Sequence, residues 1–157
     1  MMTTAQNKEI VRRYVEEVWN EKDLALVDEL YGEDYVGHWY LPGGAEATRA
    51  DLRAFIEAVH RGFPDFEMTV EFMLAEDDLV TVGFTTEGTH EGEFMGFEPT
   101  GGEETTVISG TMTHRFEDGV IVETWSNWDA LGLLQLIGAL ATDLSTGVRA
   151  GGAGRTA

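Results

Sequence analysis

Gly88-Thr89-His90-Glu91-Gly92-Glu93-Phe94-Met95-Gly96-Phe97-Glu98-Pro99-Thr100-Gly101 is the stretch on which the reading of this chain turns. Four glycines and a proline in fourteen residues exclude a regular helix or strand through its middle. Strand-like runs flank it, Leu79 to Thr89 before and Glu103 to Phe116 after. The segment therefore reads as the loop of a wide hairpin. Phe94, Met95 and Phe97 are too apolar for an idle solvent loop, so the loop is expected to fold back over the mouth of a cavity. The plainer alternative is a loop that packs its own aromatics for stability.

Working outward, the hairpin sits inside a run of strands. Phe66, Met68, Val70, Phe72 and Leu74 alternate with Glu67, Thr69, Glu71 and Met73, the pattern of a half-buried strand. Val80, Val82 and Phe84 share one face of the next. Val107 to Phe116 forms another, Glu117-Asp118-Gly119 turns it, and Val120 to Trp128 returns. Tight turns between consecutive strands mean an antiparallel meander. An earlier short strand, Asp34 to Tyr40, puts Tyr35, Gly37 and Trp39 on one face and Val36, His38 and Tyr40 on the other.

Helices surround this sheet. Thr4 can cap a first helix whose stripe is Ile10, Val11, Tyr14, Val15, Val18 and Trp19, ending at Asn20. Asp23 caps a short second one with Leu24, Val27 and Leu30. Thr48 and Asp51 open a third, with Leu52, Phe55, Ile56 and Val59 inward, stopped by Gly62 and Pro64; His60 in its last turn suits the helix dipole as a cation. Asp129 opens a last helix to Leu140, apolar nearly all round and so expected to be buried on two sides or to lie at a subunit contact. Segregated helices and strands indicate an α+β fold, with helices packed on one face of a curved antiparallel sheet and a pocket between them.

The chain has 157 residues, 43% of them hydrophobic, which is one domain's worth with an ordinary core. The domain is placed at residues 1–141 and a flexible, glycine-rich tail at 142–157. With no cysteine, disulfides, thiolate nucleophiles and cysteine metal sites are all excluded. No stretch approaches a membrane span and no signal peptide is visible, so a cytoplasmic protein that does not engage a membrane is expected. Twenty-nine acids against ten bases give a net charge of −19, spread along the chain. Nucleic acid is an unsuitable partner, since phosphates would be repelled. An acidic surface with only Lys8 and Lys22 as lysines fits a halophilic source, where salt screens the self-repulsion.

Several pieces then resemble one family. They are Val18-Trp19-Asn20-Glu21-Lys22-Asp23, Tyr31 to His38, Phe63-Pro64-Asp65, Gly88-Thr89-His90 to Pro99-Thr100-Gly101, and Glu123-Thr124-Trp125 to Asp129-Ala130-Leu131-Gly132-Leu133-Leu134-Gln135. In this order and spacing they resemble the SnoaL-like polyketide (ester) cyclases over about residues 6 to 140. The resemblance implies the nuclear transport factor 2-like, or cystatin-like, fold, a cone-shaped α+β barrel. It also implies ring closure by an intramolecular aldol reaction on a methyl ester, with no metal or cofactor and an aspartate in the pocket as general acid/base.

By that resemblance Asp129 is the position for the catalytic aspartate, flanked by Trp125, Trp128 and Leu131; burial among such side chains would raise its proton affinity. The alternative is a plain N-cap, and one residue could do both. Glu123 could be buried with the pocket wall or could pair with Arg115 across the strands. His114 shares a face with Ile108, Met112 and Phe116 and could polarise a substrate oxygen or hold a carboxylate. His38 could assist from the early strand, and His90 could orient the loop or touch the ligand. For each histidine alone a structural role is the alternative. Trp19, Trp39, Met112, Trp125, Phe94 and Phe97 are the candidate pocket walls. No metal-ligand spacing, no nucleotide-binding glycine loop and no nucleophile context at Ser109, Ser126 or Ser145 occurs.

The expected function is cyclase- or isomerase-type acid/base chemistry on a small hydrophobic carbonyl compound. The alternatives are a non-catalytic ligand-binding or protein-pairing module of the same fold, and a hydrolase or dehydratase. Apolar surface on the outer sheet face and the last helix points to a homodimer.

Overall fold

The hairpin around the glycine-rich segment is the centre of the sheet. In the computed structural model, which describes residues 2–39 and 46–140, Leu79–Thr89 (β3) pairs antiparallel with Thr105–Glu117 (β4) in unbroken register from Leu79 opposite Arg115 to Thr89 opposite Thr105. Glu67–Glu76 (β2) flanks β3 and Val120–Trp128 (β5) flanks β4, both antiparallel. The early strand, Tyr31–His38 (β1), adds to β5 in parallel, so the five-stranded sheet runs β1-β5-β4-β3-β2. Tyr40 of the expected early strand, and the tail from 142, lie outside the described residues.

Two bulges re-aim side chains. Between Val70 opposite Phe84 and Phe72 opposite Gly83 the β2 register shifts by one residue. The simple alternation is therefore wrong beyond Val70: Phe72 and Leu74 are turned outward, 50% and 65% exposed, and Met73 and Ala75 pack against the core instead. On β5 the register shifts between Arg115 opposite Glu123 and Phe116 opposite Ile121, leaving Val122 as the extra residue. Ile121 is thus fully buried while Glu123, Trp125 and Asn127 take the outer face, and Thr124, Ser126 and Trp128 the inner one.

The helices cover that inner face. Thr4–Arg13 (α1) is capped by Thr3, not Thr4, through a reciprocal capping box with Gln6. From Tyr14 to Asn20 the helix widens into π-type turns. This presents Tyr14, Val15, Val18 and Trp19 together to the interior. Asn20 exchanges two hydrogen bonds with the Met68 backbone, 2.8 and 3.0 Å, tying the segment to β2. His60 fixes it from the other side, its Nε2 2.9 Å from the Trp19 carbonyl. Burial lowers His60 below its ordinary pKa, which favours the neutral ring. His60 therefore anchors a backbone carbonyl and does not serve as a helix-end cation.

Leu26–Leu30 (α2) starts after Ala25, whose N–H is held by Asp23. Arg49–Gly62 (α3) is capped by Thr48 with Asp51, as its spacing predicts. The last helix, Ala130–Leu136 (α4), is shorter than its apolar run suggests; Gly138, at φ +79°, follows its end. It buries Leu133 and leaves Leu131 and Leu136 about half exposed.

Candidate functional site

Between the helices and the inner sheet face lies a cavity of about 890 Å³, its open mouth included. Its helical wall is Tyr14 and Trp19 from the π segment and Leu52, Phe55 and Val59 from α3. The sheet supplies Tyr31, Tyr35, Met68, Phe84, Thr86, Thr106, Ile108, Met112, Thr124, Ser126 and Trp128. Phe55 is the ring on which the others converge, with centroids 5.4 Å from Trp39, 6.3 Å from Trp128, 6.4 Å from Phe94 and 6.5 Å from Trp19. Such a chamber takes up flat apolar groups and binds oxygens only at a few fixed points.

The glycine-rich loop reaches the cavity with one side chain. Phe94 and Phe97 exchange backbone hydrogen bonds across a tight turn with Met95 at φ +52° and Gly96 at φ +83°. Phe94 is thereby driven inward, 1% exposed and edge-on to Phe63 at 5.4 Å, whereas Met95 and Phe97 stay outside, 47% and 39% exposed. The loop is docked on the end of α3, because Glu91 and Gly92 both donate to the Gly62 carbonyl, at 2.9 and 3.1 Å. His90 lies flat on Phe63, ring centroids 5.4 Å apart, 7% exposed and with neither ring nitrogen bonded.

The polar atoms of the cavity are hydroxyls and indole nitrogens. Tyr14, Tyr31 and Tyr35 stand in a row, with centroid distances of 5.2 Å between the first two and 4.9 Å between the last two. Burial holds all three phenols above their ordinary pKa, so they remain protonated hydrogen-bond donors. Behind them His114 is fully buried, its Nδ1 2.9 Å from the Thr124 hydroxyl and its Nε2 without a partner. Burial pushes its pKa down to about 3, so the ring is neutral. His114 is not among the residues that line the cavity, and it contacts three that are, Thr124, Tyr14 and Tyr31.

Four of the residues chosen from sequence line this chamber: Trp19, Trp39, Phe94 and Met112. His90, Phe97 and Trp125 do not. Asp129 is exposed and accepts the Gly132 N–H at 2.8 Å, the bond of an N-cap. His38 and Glu123 meet on the outer face of the sheet, Nε2 to Oε1 2.8 Å, with Arg115 donating to the other carboxylate oxygen at 2.9 Å and His38 stacked on Trp125 at 5.4 Å. The His38 and Arg115 bonds hold the Glu123 carboxyl below the usual range. Glu87 borders the cavity through β3, but its exposed side chain is on the opposite face from Thr86 and Gly88. Among the described residues no aspartate side chain lines the cavity, and no group of three or more histidine and acidic residues could hold a metal ion.

The SnoaL-like polyketide cyclase family model matches residues 9–137. The chain belongs to that family. Its fold is shared with AclR, a proposed hydroxylase from Streptomyces galilaeus, at 29% identity and TM-score 0.80 over 96% of this chain and 92% of that one. A proposed SnoaL-like polyketide cyclase from Jannaschia sp. CCS1 is 25% identical with TM-score 0.77, over 87% of this chain and 94% of that one. IdmH, a proposed polyketide cyclase from Streptomyces antibioticus, is 29% identical with TM-score 0.73, over 85% and 99%. No curated protein matches the chain. The nuclear transport factor 2-like architecture of these SnoaL-like relatives is thus the architecture described above.

Sequence reasoning missed Tyr31, Tyr35, Phe55, Thr124, Ser126 and Trp128 as cavity residues. A signal existed for Tyr35, which alternation places beside Gly37 and Trp39. For β5 it did not, because the extra residue at Val122 inverts the face on which Glu123 and Trp125 are expected.

Proposed function

We propose that this SnoaL-like chain binds a flat, hydrophobic, carbonyl-bearing compound of polyketide type in the aromatic cavity and promotes its intramolecular ring closure without a carboxylate in the chamber. The observation that carries the reading is the lining itself: aromatic walls with phenol, hydroxyl and indole groups, and Asp129 held outside as a helix cap. In an aldol closure, a carbon flanked by carbonyls loses a proton, adds to a second carbonyl carbon, and the new alkoxide oxygen gains a proton; mass is unchanged. A carbon between a ketone and an ester is acidic enough for solvent hydroxide to remove its proton, giving an enolate and water. What remains is to hold the chain folded so that the two carbons meet, and to hydrogen-bond the oxygen where charge gathers. Tyrosines kept protonated by burial suit the second task.

A second reading, a carrier that holds such a compound without turning it over, is favoured by the same lack of a cavity carboxylate. The two separate in one assay, in which an anthraquinone bearing a β-keto side chain and a methyl ester is incubated with the protein and followed by chromatography with mass detection. The enzyme reading expects a product of equal mass and shifted retention, formed at similar rates by wild type and Asp129→Asn. Binding without product would make the protein a carrier. Loss of turnover in a folded Asp129→Asn variant would return the acid/base role to Asp129.

A further inference from the structure

We propose that the Ser126 hydroxyl donates a hydrogen bond to a ring carbonyl oxygen of the bound compound, which makes Ser126 the residue that selects an oxygenated ring over a bare hydrocarbon. The assignment rests on the reading of the cavity as the binding site and adds to it a separate point at which a ring oxygen is recognised.

Four of the lining residues on the sheet side are serine or threonine: Thr86, Thr106, Thr124 and Ser126. Two of these hydroxyls are already spent. Thr106 donates to the Gly88 carbonyl at 2.8 Å, and the Thr124 hydroxyl is paired with His114 Nδ1 at 2.9 Å. Ser126 is only 9% exposed, yet its hydroxyl is not sealed in. It makes no hydrogen bond within the described protein and keeps surface open to the chamber. A buried hydroxyl without a partner is costly, so whatever satisfies this one comes through the cavity. In the free protein a water can do so. A ligand carbonyl that displaces the water reproduces the bond, and a hydrocarbon in the same place cannot.

The surroundings of Ser126 define the chemical class. Thr124, Ser126 and Trp128 are successive inward residues of β5, and Met112 faces Ser126 across the β4–β5 ladder. Thr124 is paired with Gly37, against which the Trp39 indole lies. Ser126 therefore stands on the floor between the places of two indoles, and both indoles face Phe55, at 5.4 and 6.3 Å. Thr86, the other hydroxyl without a partner, has Met68 and Ile108 as its cross-strand neighbours instead. A flat ring held against Phe55 thus has one free hydroxyl beside it. A quinone or aryl ketone suits this arrangement, because its carbonyl is fixed in the plane of the ring. Stacking and the hydrogen bond are then made by one rigid unit, with little freedom left to lose on binding.

Two probes of the same three-ring shape test this, 1-hydroxyanthraquinone and anthracene, each titrated by quenching of the cavity tryptophans. Ser126→Ala should weaken the quinone roughly two- to tenfold, the worth of one neutral hydrogen bond, and should leave anthracene unchanged or slightly tighter. The infrared band of the quinone's free carbonyl should lie at lower frequency in wild type than in Ser126→Ala, a signature that a packing role would not produce. Because no protein group is bonded to the hydroxyl, Ser126→Ala should melt at the wild-type temperature. If Ser126→Ala binds both probes as wild type does, or weakens both equally, the assignment is overturned and the cavity reading survives. The same holds if Thr86→Val, and not Ser126→Ala, lowers quinone affinity. If wild type binds neither probe, the cavity reading itself falls, and the role of Ser126 with it.

Discussion

His114 is sealed beneath the row of tyrosines, with Thr124 on one nitrogen and nothing on the other. Its burial has a measurable consequence for stability. In the unfolded chain a histidine takes up a proton near pH 6.5, whereas burial delays this in the folded protein to about pH 3. Between those values the unfolded state binds more protons, so stability is full above the upper value and falls as the pH falls. His60, also lowered by burial, adds to the loss. The carboxylates held below their ordinary range, Glu123, Asp51 and Asp65, lose their share only at lower pH, so the interval from pH 7 to 5 isolates the histidines. Chemical denaturation across that interval should show stability falling by up to ~1.4 kcal/mol per pH unit for His114, and His114→Gln should flatten the slope. An unchanged slope would mean that water reaches the ring. Residue chemistry of this kind is hard to see in sequence. His114 could be placed on an inward face, but alternation does not say whether that face meets the cavity or lies one layer behind it.

At the scale of elements, the loop after β3 closes the cavity because it is fastened to α3. Gly92 lies against the Arg61 carbonyl with no room for a side chain, and Gly62 lies beneath the Phe94 side chain. The prediction is that Gly92→Ala pushes the loop off the helix end. It should cost roughly 1–3 kcal/mol in thermal or denaturant unfolding, the range for overpacking a tight site. It should also speed release of 1-hydroxyanthraquinone by withdrawing Phe94. Equal stability and equal release would show that the loop is held by other contacts. The loop's inward fold was legible from Phe94 and its glycines; which aromatic enters was not, because that depends on the positive φ angles at Met95 and Gly96. The third helix and the four long strands followed from periodicity, whereas the last helix ends earlier and the early strand starts earlier than their patterns suggest. The faces of β2 and β5 beyond their bulges did not follow from periodicity, since one extra residue reverses every side chain after it.

For the whole molecule, charge and exposed apolar surface give the two expectations. A net charge of −19 on 157 residues strains the folded state by self-repulsion in dilute buffer. The melting temperature should therefore rise between low and molar salt as the charges are screened. A flat or falling curve would contradict that balance. On the outer sheet face Phe72, Leu74 and Val107 are each at least half exposed, and Trp125 stacks there on His38. Pairing of two copies through this face would cover them, and sedimentation at micromolar concentration should show a dimer; a monomer would leave that face to solvent. Composition made the charge legible at once. It could not show that the expected site residues divide between two faces of one sheet, with Trp19 and Trp39 in the cavity and His38, Glu123 and Trp125 outside it.

The most direct test is a crystal structure of the protein with 1-hydroxyanthraquinone bound. The rings should lie in the chamber against Phe55 and Trp39. A ligand bound on the outer face beside Trp125 and His38, or at Asp129, with the chamber unfilled, would contradict the account.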